Sequence, residues 1–327
     1  MRRLSIPLKY ENQIKSLCWV GDKLVDYVGG VSVIDLEGNI SIPRVNFTYR
    51  FDGAIATRDG RYTIIFEYYG TKALLLREGE IHRELNRSFY CASSYEYPIA
   101  FIDLGDNSWG IVHCPDEYNI IEIESAETGE RLTKKDREKV DFFQSRLSVS
   151  PQNRWLLSAG WIWHPLDSIM FYDLSQGLEN PAFLSAHCDG GLGDIGLWEI
   201  SNAAFLSDDE LLVSGSGDQI NEDSSSKTAI AVYDINRRGI VSRIEIPGPT
   251  GELVPINNEL ALCLYQYPKI LNFRTGEIGH RWDDIKTDKR NSSISAQERK
   301  AITAIDPRHK RFAVTTPKTI EIVSLDH

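Results

Sequence analysis

The stretch "SIMFYDLSQG" (residues 168–177) returns in nearly the same form as "TAIAVYDINRRG" (228–239). In both, alternating apolar residues end at an acidic residue, a short polar turn comes next, and a glycine closes the phrase. One such phrase predicts a hairpin, whereas recurrence at a steady spacing predicts a fold made by stacking one unit. Further copies are "VSVIDLEG" from 31, "KALLLREG" from 72, "NIIEIESAETG" from 119, "KILNFRTG" from 269 and "KTIEIVSL" from 318. With Asp35, Arg77, Glu124, Asp173, Asp234, Arg274 and Ser324 as equivalent positions, the chain holds seven copies spaced 40 to 61 residues apart.

Each copy is preceded by two more strand-like runs separated by a polar turn, such as "LSVSPQNRWLLSAG" and "AAFLSDDELLVSGS". The alternation has period two rather than 3.6, and the Asp-Gly, Pro-Gln-Asn and Asp-Pro punctuation suits tight turns between antiparallel strands. A fourth short run usually comes after the glycine, as in "NISIP", "EIHREL" and "IVSRIEI". Four antiparallel strands per repeat make a propeller blade. The prediction is therefore an all-β, seven-bladed β-propeller in a single domain, with blades near 12–43, 51–85, 97–133, 145–185, 199–246, 250–282 and 300–327. The seventh copy lacks a fourth strand, while "RRLSIPL" at 2–8 is a strand without a blade. Pairing the two closes the ring and removes exposed sheet edges. In each blade, the third strand is expected to turn into the fourth.

The pieces "SPQNRWLLSAG" at 150 and "LSDDELLVSGSGD" at 206, with the endings Tyr172-Asp173 and Tyr233-Asp234, resemble the WD-repeat family. No blade carries the Trp-Asp ending, and the Gly-His pair at Gly279 and His280 falls in or after a fourth strand. The resemblance implies the propeller and a scaffold for protein interactions.

Acidic residues outnumber Lys and Arg by 47 to 36, a formal charge of −11, which opposes binding to nucleic-acid phosphates and suits a basic partner. Five scattered cysteines without CxxC spacing predict reduced, mostly buried thiols in a cytoplasmic protein. "MRRLSIPLKYENQ" lacks the apolar stretch of a secretion signal, and no run approaches the roughly 18 apolar residues of a membrane helix.

In a propeller, the loops between strands two and three and those between blades emerge on one face. This chain's long insertions fall almost entirely there. Loops on a rigid scaffold are where binding residues concentrate. The predicted partner-binding set is Trp161, Trp163, His164, Asp189, Trp198, Asp218, Tyr265 and Tyr267. Against this stands simple packing: Trp161 and Trp163, two apart on an extended strand, share a side and could fill the wedge between blades, and Trp198 lies just before a first strand. The loop with Asp218 reads as a solvated acidic segment, "TKKDREKVDFFQ" (133–144) as a solvated excursion, and "DKRNSSISAQERK" (288–300) as a weakly ordered loop.

"AHCDGG" (186–191) sets His187, Cys188 and Asp189 side by side, but adjacent residues diverge too far to share one tetrahedral ion. No metal, cofactor or catalytic set is predicted. The expected function is a non-catalytic protein- or peptide-binding scaffold, acting as a monomer. The alternatives are a propeller hydrolase or lyase with its site at the channel mouth, and a small-molecule sensor.

Overall fold

The computed structural model describes residues 1–185, 197–216, 227–294 and 301–325. Asp189 and Asp218, with the His187-Cys188 pair, lie outside the described residues. The described residues form seven small antiparallel sheets, the blades of a seven-bladed β-propeller. The first blade is β2 (Cys18–Val20), β3 (Lys23–Asp26) and β4 (Ser32–Ile34), and β1 (Arg2–Pro7) precedes it. The second is β5 (Gly53–Ala56), β6 (Tyr62–Phe66), β7 (Lys72–Arg77) and β8 (Glu80–Asn86). The third is β9 (Ile99–Gly105), β10 (Ser108–His113) and β11 (Glu122–Ser125), and the fourth β12 (Leu147–Val149), β13 (Trp155–Ile162) and β14 (Leu166–Asp173). The fifth is β15 (Glu199–Phe205), β16 (Glu210–Ser216), β17 (Thr228–Asp234) and β18 (Gly239–Ile246). The sixth is β19 (Leu253–Pro255), β20 (Leu260–Cys263), β21 (Lys269–Asn272) and β22 (Ile278–Arg281). β23 (Thr303–Asp306), β24 (Arg311–Thr315) and β25 (Thr319–Ser324) make the seventh.

The chain divides into two compact units: Met1–Asn86, Asp284–Thr287 and Glu298–His327 in one, Arg87–Asp283 and Asp288–Gln297 in the other. The first holds three blades. Its last blade is completed by β1, which lies antiparallel on β25 from Arg2 opposite Ser324 to Pro7 opposite Thr319. The second unit holds the other four.

Strand composition tracks blade position. Middle strands are covered on both faces, so β6 (YTIIF) is buried at every residue. Fourth strands face water on one side, and β18 (GIVSRIEI) is mostly exposed or half-buried. Apolar side chains of neighbouring blades meet face to face: in the second unit, Leu157 and Phe171 of the fourth blade pack with Leu211, Val213 and Tyr233 of the fifth. In the first unit, Ile320 and Ile322 of the last blade pack with Leu24 and Ile34 of the first. Between β9 and β10, Asp106 and Asn107 both take positive φ (49° and 57°), as a tight two-residue hairpin turn of the mirror-image class demands.

Among the described residues, three blades have three strands rather than the expected four. In the first and third, the fourth run is reduced to single bridges, Ile34 with Ile40 and Glu124 with Arg131. In the fourth blade, "SIMFYDLSQG" does not turn into a strand; it enters the helix α1 (Leu174–Glu179). Asp173 caps this helix, its Oδ1 accepting from the Gln176 N–H at 3.0 Å. Asp234 accepts in the same way from the Arg237 N–H at 2.8 Å, so both phrases open alike. They diverge afterwards: Leu174 and Leu178 are one helical turn apart and pack, with Leu184 of the next 3₁₀ turn, beside Ile121, Ile123 and Tyr172. After Asp234 the left-handed Arg238 (φ 52°) ends the turn and β18 begins.

The closing blade is held by a buried carboxylate. Glu321 of β25 accepts from Arg3 Nε (2.8 Å) and Ser5 Oγ (2.8 Å) of β1, and from Thr319 Oγ1 (2.6 Å). Burial by itself would raise its pKa, but these hydrogen bonds and the Arg3 charge outweigh burial and hold it below the usual range. A depressed carboxylate stabilises the fold above its unfolded value of about 4.3 and loses that contribution as pH falls through the folded value. Glu321→Gln is expected to destabilise the protein by roughly 1–3 kcal/mol at neutral pH. Thermal melts across pH check this: the gap from wild type should close in acid, and a pH-independent gap would show that the charge is immaterial.

Candidate functional site

The loop-bearing face of the second unit carries an aromatic column and, separately, a polar cavity edged by residues 289–294. The column begins where β13 leaves its partner. Gly160 makes room for it, since a Cβ there would lie 1.9 Å from the Phe143 carbonyl oxygen and 2.8 Å from the Phe142 ring. The space lets Phe143 bridge to Trp161, its N–H donating to the Trp161 carbonyl at 2.8 Å. The two rings stack at 3.7 Å with 10° between planes, and Tyr118 stacks on Phe143 at 4.2 Å. Tyr90 lies 5.1 Å from Tyr118, and Trp163 meets Phe143 edge-on at 5.4 Å.

Exposure divides this group. Phe143 and Trp161 are buried (0% and 3%), whereas Tyr90 (44%) and Trp163 (45%) are open to solvent. The Tyr118 hydroxyl donates to Asp141 Oδ1 at 3.2 Å; burial and the Asp141 charge push its pKa up to about 12. Beneath the column lies Arg87, 4% exposed, whose guanidinium donates to the carbonyls of Ala92, Tyr95 and Glu96 and sits 4.5 Å from the Tyr95 ring and 5.0 Å from Tyr97. This buried cation fixes the 88–97 loop, making Tyr95 and Tyr97 packing residues.

The expected site residues separate accordingly. Trp161 and Trp163 both meet the Phe143 ring and lie edge-on to each other at 5.3 Å, but their burial differs: Trp161, within β13, is core, and Trp163, just past its end at Ile162, is surface. His164 is exposed in the turn beyond, at φ 113°. Trp198 is half exposed (50%), not packed in the core as its position suggested. Tyr265 and Tyr267 are half-buried, their rings 5.9 Å from Lys269 Nζ and 5.8 Å from the Arg281 guanidinium. The structure thus joins Trp161 and Trp163 and leaves Trp198, Tyr265 and Tyr267 outside the column. Missed by sequence were Tyr118 and Phe143; the apolar "FF" ending the charged run at 133–144 was the signal. Val140, Phe142 and Phe143 bury that end, while Lys134, Lys135, Asp136, Glu138 and Lys139 before it are exposed, so the run is a solvated excursion only up to Lys139.

Of the segment 288–300, residues 288–294 are anchored, and 295–300 lie outside the described residues. Gln266 N–H donates to the Asp288 carbonyl (2.7 Å), and Arg290 Nη1 lies 2.7 Å from Glu96 Oε1. Asn291 Oδ1 accepts from Gly251 N (3.0 Å) and Asn202 Nδ2 (3.0 Å), while its Nδ2 donates to Ser201 Oγ. Ser293, fully buried, donates through N–H to Asp167 Oδ1 at 2.8 Å and through its hydroxyl to the same oxygen and the Gly160 carbonyl. Ile294 bridges to Tyr95. One segment therefore ties the fourth, fifth and sixth blades and the loop at Tyr95 and Glu96 together, through hydrogen bonds and one ion pair.

Beside this segment lies a cavity of about 770 Å³ lined by Asp167, Glu199, Lys227, Glu245, Lys289 and Arg290 among others. Glu199 reaches it because β15 is bulged between Ile200 and Asn202, opposite Gly215, where a Cβ would lie 1.7 Å from the Glu199 carbonyl. Burial raises the Glu199 pKa, the Asp167 N–H donated to Glu199 Oε1 (3.0 Å) opposes the rise, and the Asp167 charge adds to it.

No family model matches the chain, and no curated protein does. Among solved structures, a chain of Kuenenia stuttgartiensis hydrazine synthase has a similar fold, with a TM-score of 0.62 and 10% identity over 96% of each chain. At that identity the likeness concerns the fold alone.

Phe143→Ala is expected to cost about 3–5 kcal/mol and to abolish the near-UV circular dichroism of the column. Trp163→Ala should stay within roughly 0.5 kcal/mol of wild type, as a surface change. Equal losses in urea melts would refute this division of core from surface. Ser293→Ala, which leaves the buried Asp167 carboxylate without its hydroxyl donor, should cost about 1–3 kcal/mol, read by the same melts.

Proposed function

We propose that this protein is a non-catalytic scaffold that binds a basic peptide or protein segment at the exposed end of the aromatic column. The observation that carries this reading is the pairing of a buried base, Trp161 on Phe143, with the solvent-open rings of Tyr90 and Trp163. Rings already fixed by packing lose little freedom on binding, and tryptophan and tyrosine dominate interaction hot spots. Phe89, 86% exposed, adds apolar surface next to Tyr90 in the chain. Basic side chains suit the site because aromatic faces attract cations and the chain carries a formal charge of −11. The resemblance of the blade sequences to WD-repeat scaffolds supports the same reading, with the propeller acting as a monomer in the cytoplasm.

A hydrolase or lyase reading draws on the carboxyl groups of Asp167 and Glu199 at one cavity. Asp167 is 2% exposed and holds Ser293, which suits a structural anchor better than a nucleophile or base.

The test is selection from a displayed random-peptide library on the intact protein. Lysine- or arginine-rich sequences should be enriched, and Tyr90→Ala and Trp163→Ala should each weaken binding by tenfold or more, about 1.4 kcal/mol, with unchanged melting temperature. Selected peptides indifferent to both substitutions, or no enrichment at all, would refute the site.

A further inference from the structure

The polar cavity of the second unit is distinct from the aromatic column, and its lining has a definite chemical character. At about 770 Å³ it falls within the size range of small-molecule sites. Its charges are mixed in sign and largely answered by the protein itself. Lys227 Nζ lies 2.8 Å from Glu245 Oε2, Arg290 Nη1 2.7 Å from Glu96 Oε1, and Arg146 Nη2 4.0 Å from Asp167 Oδ1. A cationic ligand would meet Lys227, Lys289 and Arg290, and an anionic one Asp167, Glu199 and Glu245. Either would forfeit hydration without a site of net opposite charge to receive it.

The lining also carries hydrogen-bonding groups that the protein does not use in full. Asp167 Oδ2 is buried without a hydrogen bond, an expensive condition for a carboxylate. Glu199 uses one oxygen on the Asp167 N–H, and its carboxyl is half-buried at the cavity wall. The hydroxyl-bearing residues Ser216 and Thr228 line the same space, together with the apolar Ile246, Pro247 and Ile294. Hydroxyl, carboxyl and ammonium groups together with apolar side chains in one lining complement a molecule that carries hydroxyls around a ring of C–H groups.

From this lining we infer that the cavity is a binding site for a neutral polyhydroxylated ligand, a saccharide, with Glu199 and Thr228 among its hydrogen-bonding contacts. A hydroxyl can both donate to a carboxyl oxygen and accept from a lysine or threonine, so one sugar ring satisfies both signs of the lining without adding charge. The site is independent of peptide binding at the column and stands or falls separately.

The experiment is calorimetric titration of the full chain with neutral di- and trisaccharides built from glucose, galactose, mannose, xylose and N-acetylglucosamine, with spermidine and citrate as charged competitors. Thermal shift gives a second readout, since a ligand of the native state raises the melting temperature. At least one saccharide should bind, and Glu199→Gln and Thr228→Val should each weaken it by roughly tenfold, about 1.4 kcal/mol. Both substitutions nearly preserve side-chain shape, and unchanged near-UV circular dichroism would confirm that the fold is intact. Should either one unfold the protein, Lys289→Ala, at an exposed lining position, serves as the second test and should weaken binding likewise. The inference is overturned if no saccharide of the panel binds, if spermidine or citrate binds in preference, or if binding is indifferent to the substitutions.

Discussion

A sheet ending in an unpaired strand exposes a row of amide and carbonyl groups, and in the seventh blade that edge is β25. The blade resolves it by borrowing β1 from the opposite end of the chain, residue by residue from Arg2 to Pro7. The pairing is in register because Ile6 must reach the core shared with Ile320 and Ile322 while its neighbours face solvent; a slip of one residue would turn Ile6 outward. Glu321 reinforces that register by collecting Arg3 and Ser5, which lie on the same strand two residues apart. β1 is therefore a structural member of the last blade.

In the second unit, the comparable constraint is polar. Residues 288–294 hold their neighbours by an ion pair to Glu96 and by specific hydrogen bonds to Asp167, Asn202 and Gly251, and the buried Ser293 is satisfied by Asp167 and Gly160. Buried polar groups of this kind are tolerated when every partner is in place, and they then specify one arrangement. Gly160 serves both features: its carbonyl receives Ser293, and its missing side chain admits Phe143 beside Trp161. The aromatic column and the polar segment are thus built on the same end of β13.

The seven-bladed fold and its closure by the N-terminal strand could be read from sequence. The fifth blade, expected at 199–246, runs from Glu199 to Ile246, and the N-terminal strand takes the place anticipated for it. The fourth blade's helix was less legible, since Asp173 and Asp234 begin their turns with the same capping hydrogen bond and part only at the next residues, where Leu174 and Leu178 find an apolar surface to cover. Of the expected binding residues, Trp163 and His164 lie exposed and Trp161 does not. Their spacing of two residues places both rings against Phe143, but the strand ends between them, and only the ring inside it is covered.

The sequence by itself determined the number of blades, the order of their strands and the closure by the first residues. These arise from period-two alternation and turn residues, which act between neighbours along the chain. Only the tertiary structure decided which aromatic rings are buried, that residues 288–294 are anchored, and that Glu199 and Asp167 share a cavity. Those outcomes depend on contacts between residues far apart in the chain, such as Ser293 with Asp167 across 126 positions, and no local pattern encodes which distant partner will satisfy a buried polar group or cover a ring.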